Sequence, residues 1–365
     1  MTVPSPDPLR AVVDDGVAEN IDRLISLDMR GDMYVPELYA AARELAGMPL
    51  MLAGARAVRS ALHCTAAEQR STVALFTGFR IPPTGVPETD GVIGTAVLAH
   101  GIARATGAVP VVVCEPECFP AVRAALVAVG LSVAVIDDAS TTPAAADSYL
   151  VPFGIGDAAA DVESLLTAQS PVMVAVAVER PAANDRGYYH FAGGMRVEGV
   201  IAPIDDLWTR LRDDGVPTVA IGDFGNELGT GYLAATVAAG TESGAACGCG
   251  CGGGVAAATT ADVTIACSVS DWGAYGLAAM LGQLAGVPEA LPDTATYRRT
   301  VDAANLAGAI DGTSRLGIPA IDGIGIEFHA RHYELIRDVV AHPNRPSMNN
   351  AIRRHRAGLR SERAR

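Results

Sequence analysis

Four short stretches of this sequence combine acids, hydroxyls and glycines where plain turns would need only one of these. They are Thr77-Gly78-Phe79-Arg80-Ile81-Pro82-Pro83-Thr84-Gly85-Val86-Pro87-Glu88-Thr89-Asp90-Gly91, Glu179-Arg180-Pro181, the run from Gly222-Asp223-Phe224-Gly225-Asn226-Glu227 to Gly231, and Ser268-Val269-Ser270-Asp271-Trp272-Gly273-Ala274-Tyr275. Each follows an apolar run that reads as a buried strand. Glu88, Asp90, Asp223 and Glu227 would bring hard oxygen ligands to one crevice, a set that suits Mg²⁺ or Mn²⁺. The plainer alternative for any one of them is helix capping, since Asp90 lies just before Gly94 and Asp223 could open a helix.

The glycines at 222, 225, 229 and 231 suggest a phosphate cradle built from bare backbone amides. The spacing is neither G-x-G-x-x-G nor a Walker pattern, and acids inside the loop would repel phosphate unless a metal intervened. The chain has no lysine, so all 27 of its permanently basic side chains are arginine. That removes the P-loop lysine and any Schiff base through a lysine of this chain, and with it pyridoxal phosphate chemistry of the usual kind. Cys247, Cys249 and Cys251 alternate with glycine and lack a C-x-x-C pair, so they read as incidental thiols on a flexible loop, with a copper or zinc cluster as the alternative. His329 and His332 stand i, i+3 beside Glu327. They read as a solvated face or a satisfied core pair rather than as metal ligands.

Such residues need a scaffold, and the rhythm of the chain supplies one. Apolar runs alternate with amphipathic stretches, the pattern of βα units around a largely parallel sheet, with two intimately joined Rossmann-like halves as one form of it. Strands are expected at Thr72 to Phe76, Val109 to Val113, Ser132 to Ile136, Val172 to Val178, Thr218 to Ile221 and Val263 to Ala266. Helices are expected at Asn20 to Met29, Pro36 to Ala46, Gly94 to Thr106, Phe119 to Val129, Pro203 to Asp214, Trp272 to Leu284, Tyr297 to Ala309 and Phe328 to Ala341, with a small-residue helix after the glycine-rich segment. The stretch after Ile136, rich in Ala, Asp and Thr, reads as a spacer. One α/β domain is expected over 1–343, with sub-blocks at about 20–140 and 165–343, followed by a basic tail at 344–365. In such sheets ligands bind beyond the carboxyl ends of the strands, where the four stretches fall.

A chain of 365 residues, half of them apolar, can bury a large core. The net charge of -14 speaks against a general nucleic-acid binder. No basic leader and no stretch of about 18 apolar residues is apparent, so a cytoplasmic protein without membrane partners is expected. The seven cysteines do not resemble a secreted disulfide framework. A homo-oligomer is left open.

Taken together and in order, the four stretches resemble the D-glutamate cyclase-like family. The match covers most of the chain and rests on Thr77-Gly78-Phe79, Pro82-Pro83-Thr84-Gly85, Pro87 to Gly91, Glu179-Arg180-Pro181, Gly222-Asp223 with Gly225-Asn226-Glu227, and Ser270 with Trp272-Gly273 and Tyr275. The resemblance implies an enzyme that closes a small acidic amino acid, D-glutamate, into 5-oxo-D-proline with loss of water. It implies contacts to that substrate from Thr77, Gly78, Thr84, Thr89, Glu179, Tyr189, Gly225, Ser270 and Trp272. Chemically, the acids would hold a divalent ion or serve as base, Asn226 and loop amides would stabilise an oxyanion, and Arg180 would pair with a substrate carboxylate. Two positions depart from the family pattern: Phe224 stands where glycine is usual, and Asp271 where asparagine is usual. A metal-dependent hydrolase or phosphatase of a small acidic metabolite is the rival enzyme reading, and a non-catalytic carboxylate or nucleotide binder is the rival of another class.

Overall fold

The computed structural model describes residues 8–31, 34–63, 71–168 and 170–342. The expected basic tail lies outside the described residues. Seven strands form one all-parallel sheet: β1 (Thr72–Phe76), β2 (Val109–Cys114), β3 (Val133–Val135), β4 (Ser148–Pro152), β5 (Val172–Val178), β6 (Thr218–Gly222) and β7 (Val263–Ala266), in the spatial order β7-β6-β5-β1-β2-β4-β3. The α/β architecture is the one expected from the pattern. The two blocks share a single continuous sheet, in which Phe76 of β1 sits in register with Val113 of β2 and Ala177 of β5.

Both faces of the sheet are covered, which is why its strands are almost wholly apolar instead of alternating. Val73, Leu75, Val112, Val174, Val176 and Ile221 face one core. Ala74, Phe76, Val111, Val113, Ala175 and Ala177 face the other, where Trp208 meets Phe76 edge-on at 5.7 Å. Helices α1 (Pro8–Ile25), α2 (Val35–Ala46), α3 (Leu50–His63) and α4 (Val92–Thr106) come from the first part of the chain. Helices α5 (Phe119–Ala128), α6 (Ala159–Thr167) and α7 (Ile204–Asp213) follow, then the short α8 (Ala234–Gly240) and α9 (Glu242–Ala245). Helices α10 (Ser270–Ala285), α11 (Thr294–Leu306) and α12 (Ile326–Ala341) complete the structure. Among the described residues no helix is long and apolar enough to cross a membrane.

Several elements differ from expectation. The stretch read as a spacer carries β4 and α6, and β4 slots between β2 and β3. The first helix begins at Pro8, well before Asn20. Also unforeseen is α3, which buries Leu50, Met51, Leu52, Ala55 and Val58 and turns Arg56 and Ser60 outward.

The topology fixes where a site can form. From β1 the chain moves outward through β2, β3 and β4, then crosses back to lay β5 on the opposite side of β1 and continues through β6 and β7. The carboxyl ends of β1 and β5 therefore flank a topological switch point, where neighbouring loops diverge and leave a crevice.

Candidate active site

At the crevice two helices meet with their N-termini facing, and each is capped by an acid from the other's loop. Asp271, at the start of α10, accepts from the amides of Gly91 (2.8 Å) and Gly94 (2.6 Å), the first turn of α4. Asp90, just before α4, accepts from the amides of Ser270 (3.1 Å) and Asp271 (2.8 Å). Asp90 is thus a cap of the distant helix, and it also accepts from the Gly91 amide at the start of its own at 2.9 Å. The exchange satisfies orphan amides and places negative charge at the positive ends of both helix dipoles.

The two carboxyls converge on the Gly91 amide, which lies 2.9 Å from Asp90 and 2.8 Å from Asp271, and a proton shared between them would relieve their repulsion. Burial pushes the Asp271 carboxyl up to about 7, against the donors that hold it. Burial, then the charge of Asp271, pushes Asp90 up as well. The asparagine usual at this position in the family pattern would keep the amide acceptor and donate to Asp90 without that proton. We therefore expect Asp271→Asn to raise the unfolding temperature most above about pH 7, where the shared proton is hardest to keep, and progressively less as pH falls toward about 4. Differential scanning fluorimetry across that range checks it, and a uniform loss at every pH would count against the shared proton.

The close approach of these loops leaves no room at Gly91. Its φ is 79°, and a Cβ there would lie 2.7 Å from the Glu179 Cβ and 2.9 Å from the Val178 carbonyl oxygen. Gly91→Ala is expected to cost about 2–4 kcal/mol, from the left-handed backbone and the overpacking together. Urea unfolding measures it.

The glycine-rich loop after β6 is organised by its own acid. Glu227 folds back to accept from the amides of Asp223 (3.2 Å), Phe224 (2.8 Å) and Gly225 (2.7 Å). Gly222 makes this possible, because a Cβ there would fall 2.4 Å from a Glu227 carboxyl oxygen. Burial, followed by the charge of Asp223, still pushes Glu227 up to about 7.

Asp223 points the other way, into a cavity of about 390 Å³. Glu88, Glu179 and Asn226 line it from the expected set. Behind them stand Asp90, Glu227 and Ser270, whose hydroxyl donates to Glu179 at 2.5 Å. Carboxyl oxygens of Asp90, Asp223 and Asp322 lie within 4.8 Å of one another, as do those of Glu179, Asp223 and Glu227, so Asp223 belongs to both groups. Both groups have the oxygen chemistry that Mg²⁺ or Mn²⁺ takes. In the first, however, Arg30 already serves as the cation, bonding Asp223 at 2.6 Å and Asp322 at 2.8 Å. The group of Glu179, Asp223 and Glu227 is the better fit to a divalent ion.

Burial pushes Glu179 well above the usual carboxylate range, and the charges of Asp223 and Glu227 push it further. Burial, then Asp322 and Asp90, does the same to Glu88. Because these folded-state values are raised, the folded protein keeps protons that the unfolded chain releases. Stability should therefore fall as pH rises from about 4.5 through about 7, by on the order of 1.4 kcal/mol per pH unit for each proton so held. Thermal unfolding in chelator should show a higher midpoint at about pH 5.5, within that fall, than at about pH 8, beyond it.

Backbone strain singles out the same place. Among the described residues the non-glycine residues with left-handed backbone are Glu179 (φ 43°), Arg315 (φ 60°) and Asp322 (φ 54°), and all three line this cavity. Such conformations cost roughly 1–3 kcal/mol each and gather where function over-determines the backbone.

Other expected contacts lie elsewhere. Arg180 does not reach the cavity. It is fully buried and paired with Glu115 at 2.6 and 2.8 Å, and the same nitrogens also donate to the carbonyls of Thr77, Gly78 and Ala202. Its two terminal nitrogens stitch the β1, β2 and β5 loops together, and its Nε, though without a partner, is fully buried away from the cavity. Trp272 is buried, donating to His329 Nδ1 at 2.9 Å and stacking on His332 at 3.8 Å. Tyr189 donates to Asp205, Thr84 sits exposed on a hairpin turn, and Thr89 donates to the Ala320 carbonyl. Thr77 is buried behind the cavity, Gly78 supplies a carbonyl to Arg180, and Gly225 supplies an amide to Glu227.

His329 and His332 are a buried core pair rather than a solvated face, with both ring nitrogens of His329 partnered and His332 held through Nε2 alone, which bonds the Leu24 carbonyl at 2.9 Å. His329 Nε2 bonds the Ile321 carbonyl at 3.0 Å, so that nitrogen carries the proton and Nδ1 accepts from Trp272. Burial lowers both imidazoles to about 4. Phe224 does flank the cavity, its ring edge-on to Tyr34 at 5.3 Å.

Sequence reasoning missed Arg30, Asp322, Arg315 and the Phe191 to Met195 segment on the cavity wall. Arg30 lies in a polar stretch after α1, and Asp322 in a tight turn far along the chain. Neither follows a strand of the central sheet.

Comparison with known proteins accords with this geometry. Residues 25–340 match the family described as D-glutamate cyclase-like, C-terminal. The human mitochondrial D-glutamate cyclase is 28% identical over 188 residues, covering 45% of this chain and 29% of that protein. The chain thus matches less than a third of its relative's length.

Proposed function

The chain belongs to the D-glutamate cyclase-like family, and from that premise we propose that it is a lyase closing D-glutamate, or a close analogue, into the five-membered lactam with release of water. The observation that carries the proposal is the cavity at the switch point, where Glu88, Glu179 and Asp223 face Arg30 and Arg315 and where the strained residues gather. Its volume suits one small amino acid.

Lactam closure joins the α-nitrogen to the distal carboxyl carbon and breaks one carbon–oxygen bond. The ammonium gives up two protons in all, and the departing oxygen takes both to leave as water. The acidic wall offers both halves of that exchange. Asp223 accepts a proton from the ammonium, which an acidic wall also binds by charge. Glu179, held protonated by burial, donates to the departing oxygen. Asn226 anchors its Nδ2 on the His190 carbonyl at 2.9 Å and turns an unpartnered Oδ1 inward, an acceptor for a substrate N–H. That revises its expected role as an oxyanion donor. Arg315 is the guanidinium placed to pair with the α-carboxylate. A divalent ion bound by Glu179, Asp223 and Glu227 would displace the Glu179 proton and take over its task, making the distal carboxyl more electrophilic in its place.

Product analysis of the full chain tests the proposal, with D-glutamate, L-glutamate and small phosphate monoesters offered with Mg²⁺ or Mn²⁺. Lactam from the D-isomer is the expected result. Phosphate release without lactam would favour the hydrolase reading instead. For the ion, Mn²⁺ should raise the unfolding midpoint at about pH 8 and flatten its dependence on pH, because the ion replaces retained protons.

A further inference from the structure

In the loop between α9 and β7, the fold gathers three thiols against an imidazole. Cys247 Sγ lies 3.1 Å from Cys249 Sγ and 3.2 Å from Cys251 Sγ, and His190 Nε2 lies 3.2 Å from Cys249 Sγ. One ligand atom from each of the four residues falls within 4.8 Å of all the others. We propose that Cys247, Cys249, Cys251 and His190 form a structural zinc site that pins the hairpin carrying His190 against one wall of the cavity. The inference does not depend on the reaction proposed above.

The donor set is Cys₃His, one of the closed tetrahedral sets that hold structural zinc. With Zn–S near 2.3 Å and Zn–N near 2.0 Å, the ligand atoms of such a site stand roughly 3.5–3.8 Å apart, the same scale as seen here. The glycines explain how alternate cysteines can converge. Gly250 has φ 80° and Gly252 φ 78°, so the loop coils tightly enough to turn successive thiols inward. Asn184 supports the cluster from outside, its Nδ2 lying 3.5 Å from Cys251 Sγ and donating to the Gly254 carbonyl at 2.7 Å. Metal-bound thiolates usually have such an outer donor. The fourth ligand comes from a remote segment, which is why C-x-C-x-C by itself looked too poor for zinc.

The site's neighbours give it a purpose. His190 opens the short antiparallel hairpin of Tyr189–His190 with Arg196–Val197. The His190 carbonyl accepts from Asn226, and Phe191, Ala192, Gly193 and Met195, which follow it, line the cavity. The cysteine loop seats against this hairpin, since a Cβ at Gly194 would stand 3.5 Å from the Gly248 nitrogen. Zinc would therefore fix a wall of the cavity without touching a substrate there.

Elemental analysis of the full chain, expressed in zinc-supplemented medium and purified without chelator, tests this. About one zinc per chain is expected, falling at least about tenfold in Cys249→Ser and in His190→Ala. Asp223→Asn and Cys114→Ser should keep it, which separates this site from the acidic cavity and from thiols in general. Should a ligand variant fail to fold, Co²⁺ titration of the wild-type chain decides, with intense thiolate-to-cobalt absorbance and tetrahedral visible bands expected. Wild-type protein without zinc and without those bands would overturn the proposal. So would zinc retained by a soluble His190→Ala, Cys249→Ser double variant, copper in place of zinc, or a cysteine disulfide found by mass in freshly purified protein.

Discussion

Replacing Asp223 with asparagine is expected to slow lactam formation from D-glutamate by about 10²–10⁴-fold, the range over which positioned proton transfer contributes to catalysis. The reason is geometric. Asp223 is the carboxylate common to both acidic groups, and it is held on the cavity wall by Arg30 at 2.6 Å. Asparagine keeps its shape and an acceptor for Arg30, which also retains Asp322 at 2.8 Å. The fold should survive, because removing one charge from a crowded acidic crevice relieves Glu179 and Glu227, both pushed up in part by Asp223. Steady-state rates measured beside an unfolding curve separate the two effects. Turnover within a factor of about two of wild type, in a folded variant, would remove Asp223 from the chemistry.

The second large effect is on stability. Arg180→Ala is expected to cost about 3–5 kcal/mol, because it strands the Glu115 carboxylate in a site with no access to solvent. Glu115 would keep only the Ala202 amide, at 2.7 Å, and three carbonyls would lose their donor. The double replacement Arg180→Met with Glu115→Leu should recover much of the loss, since it removes both charges together. Urea unfolding of the two variants measures this. If Arg180→Ala instead left stability within about 1 kcal/mol and raised only KM, Arg180 would be the substrate contact that the sequence suggested.

Much of the scaffold was legible because its strands are short valine-rich runs bounded by turn residues. Thr72–Phe76, Val172–Val178 and Val263–Ala266 have the bounds expected of them. Ser148–Pro152 escaped because serine, tyrosine and proline dilute its apolar run, although about 35 residues without structure inside a compact fold should have aroused suspicion. At the site, the acids after the strands were visible, since strand order converts position in sequence into position in space. Their partners were not. Arg30, Asp322 and His190 reach their places only through tertiary packing, and no local pattern marks them. Arg180 shows the converse: a charged residue at a strand end looks like a ligand contact, and only its burial with Glu115 identifies it as scaffold.

The central claim is that the cavity around Asp223 expels water from a distal carboxyl as the ring closes. The most direct measurement is mass spectrometry of the product formed by the full chain from D-glutamate labelled with ¹⁸O in both distal carboxyl oxygens. The account predicts 5-oxo-D-proline that retains one label, with the other recovered in water, and none of this product from Asp223→Asn on the same time scale. No lactam from the wild-type chain with Mg²⁺ or Mn²⁺ present, or equal lactam from the variant, would contradict it.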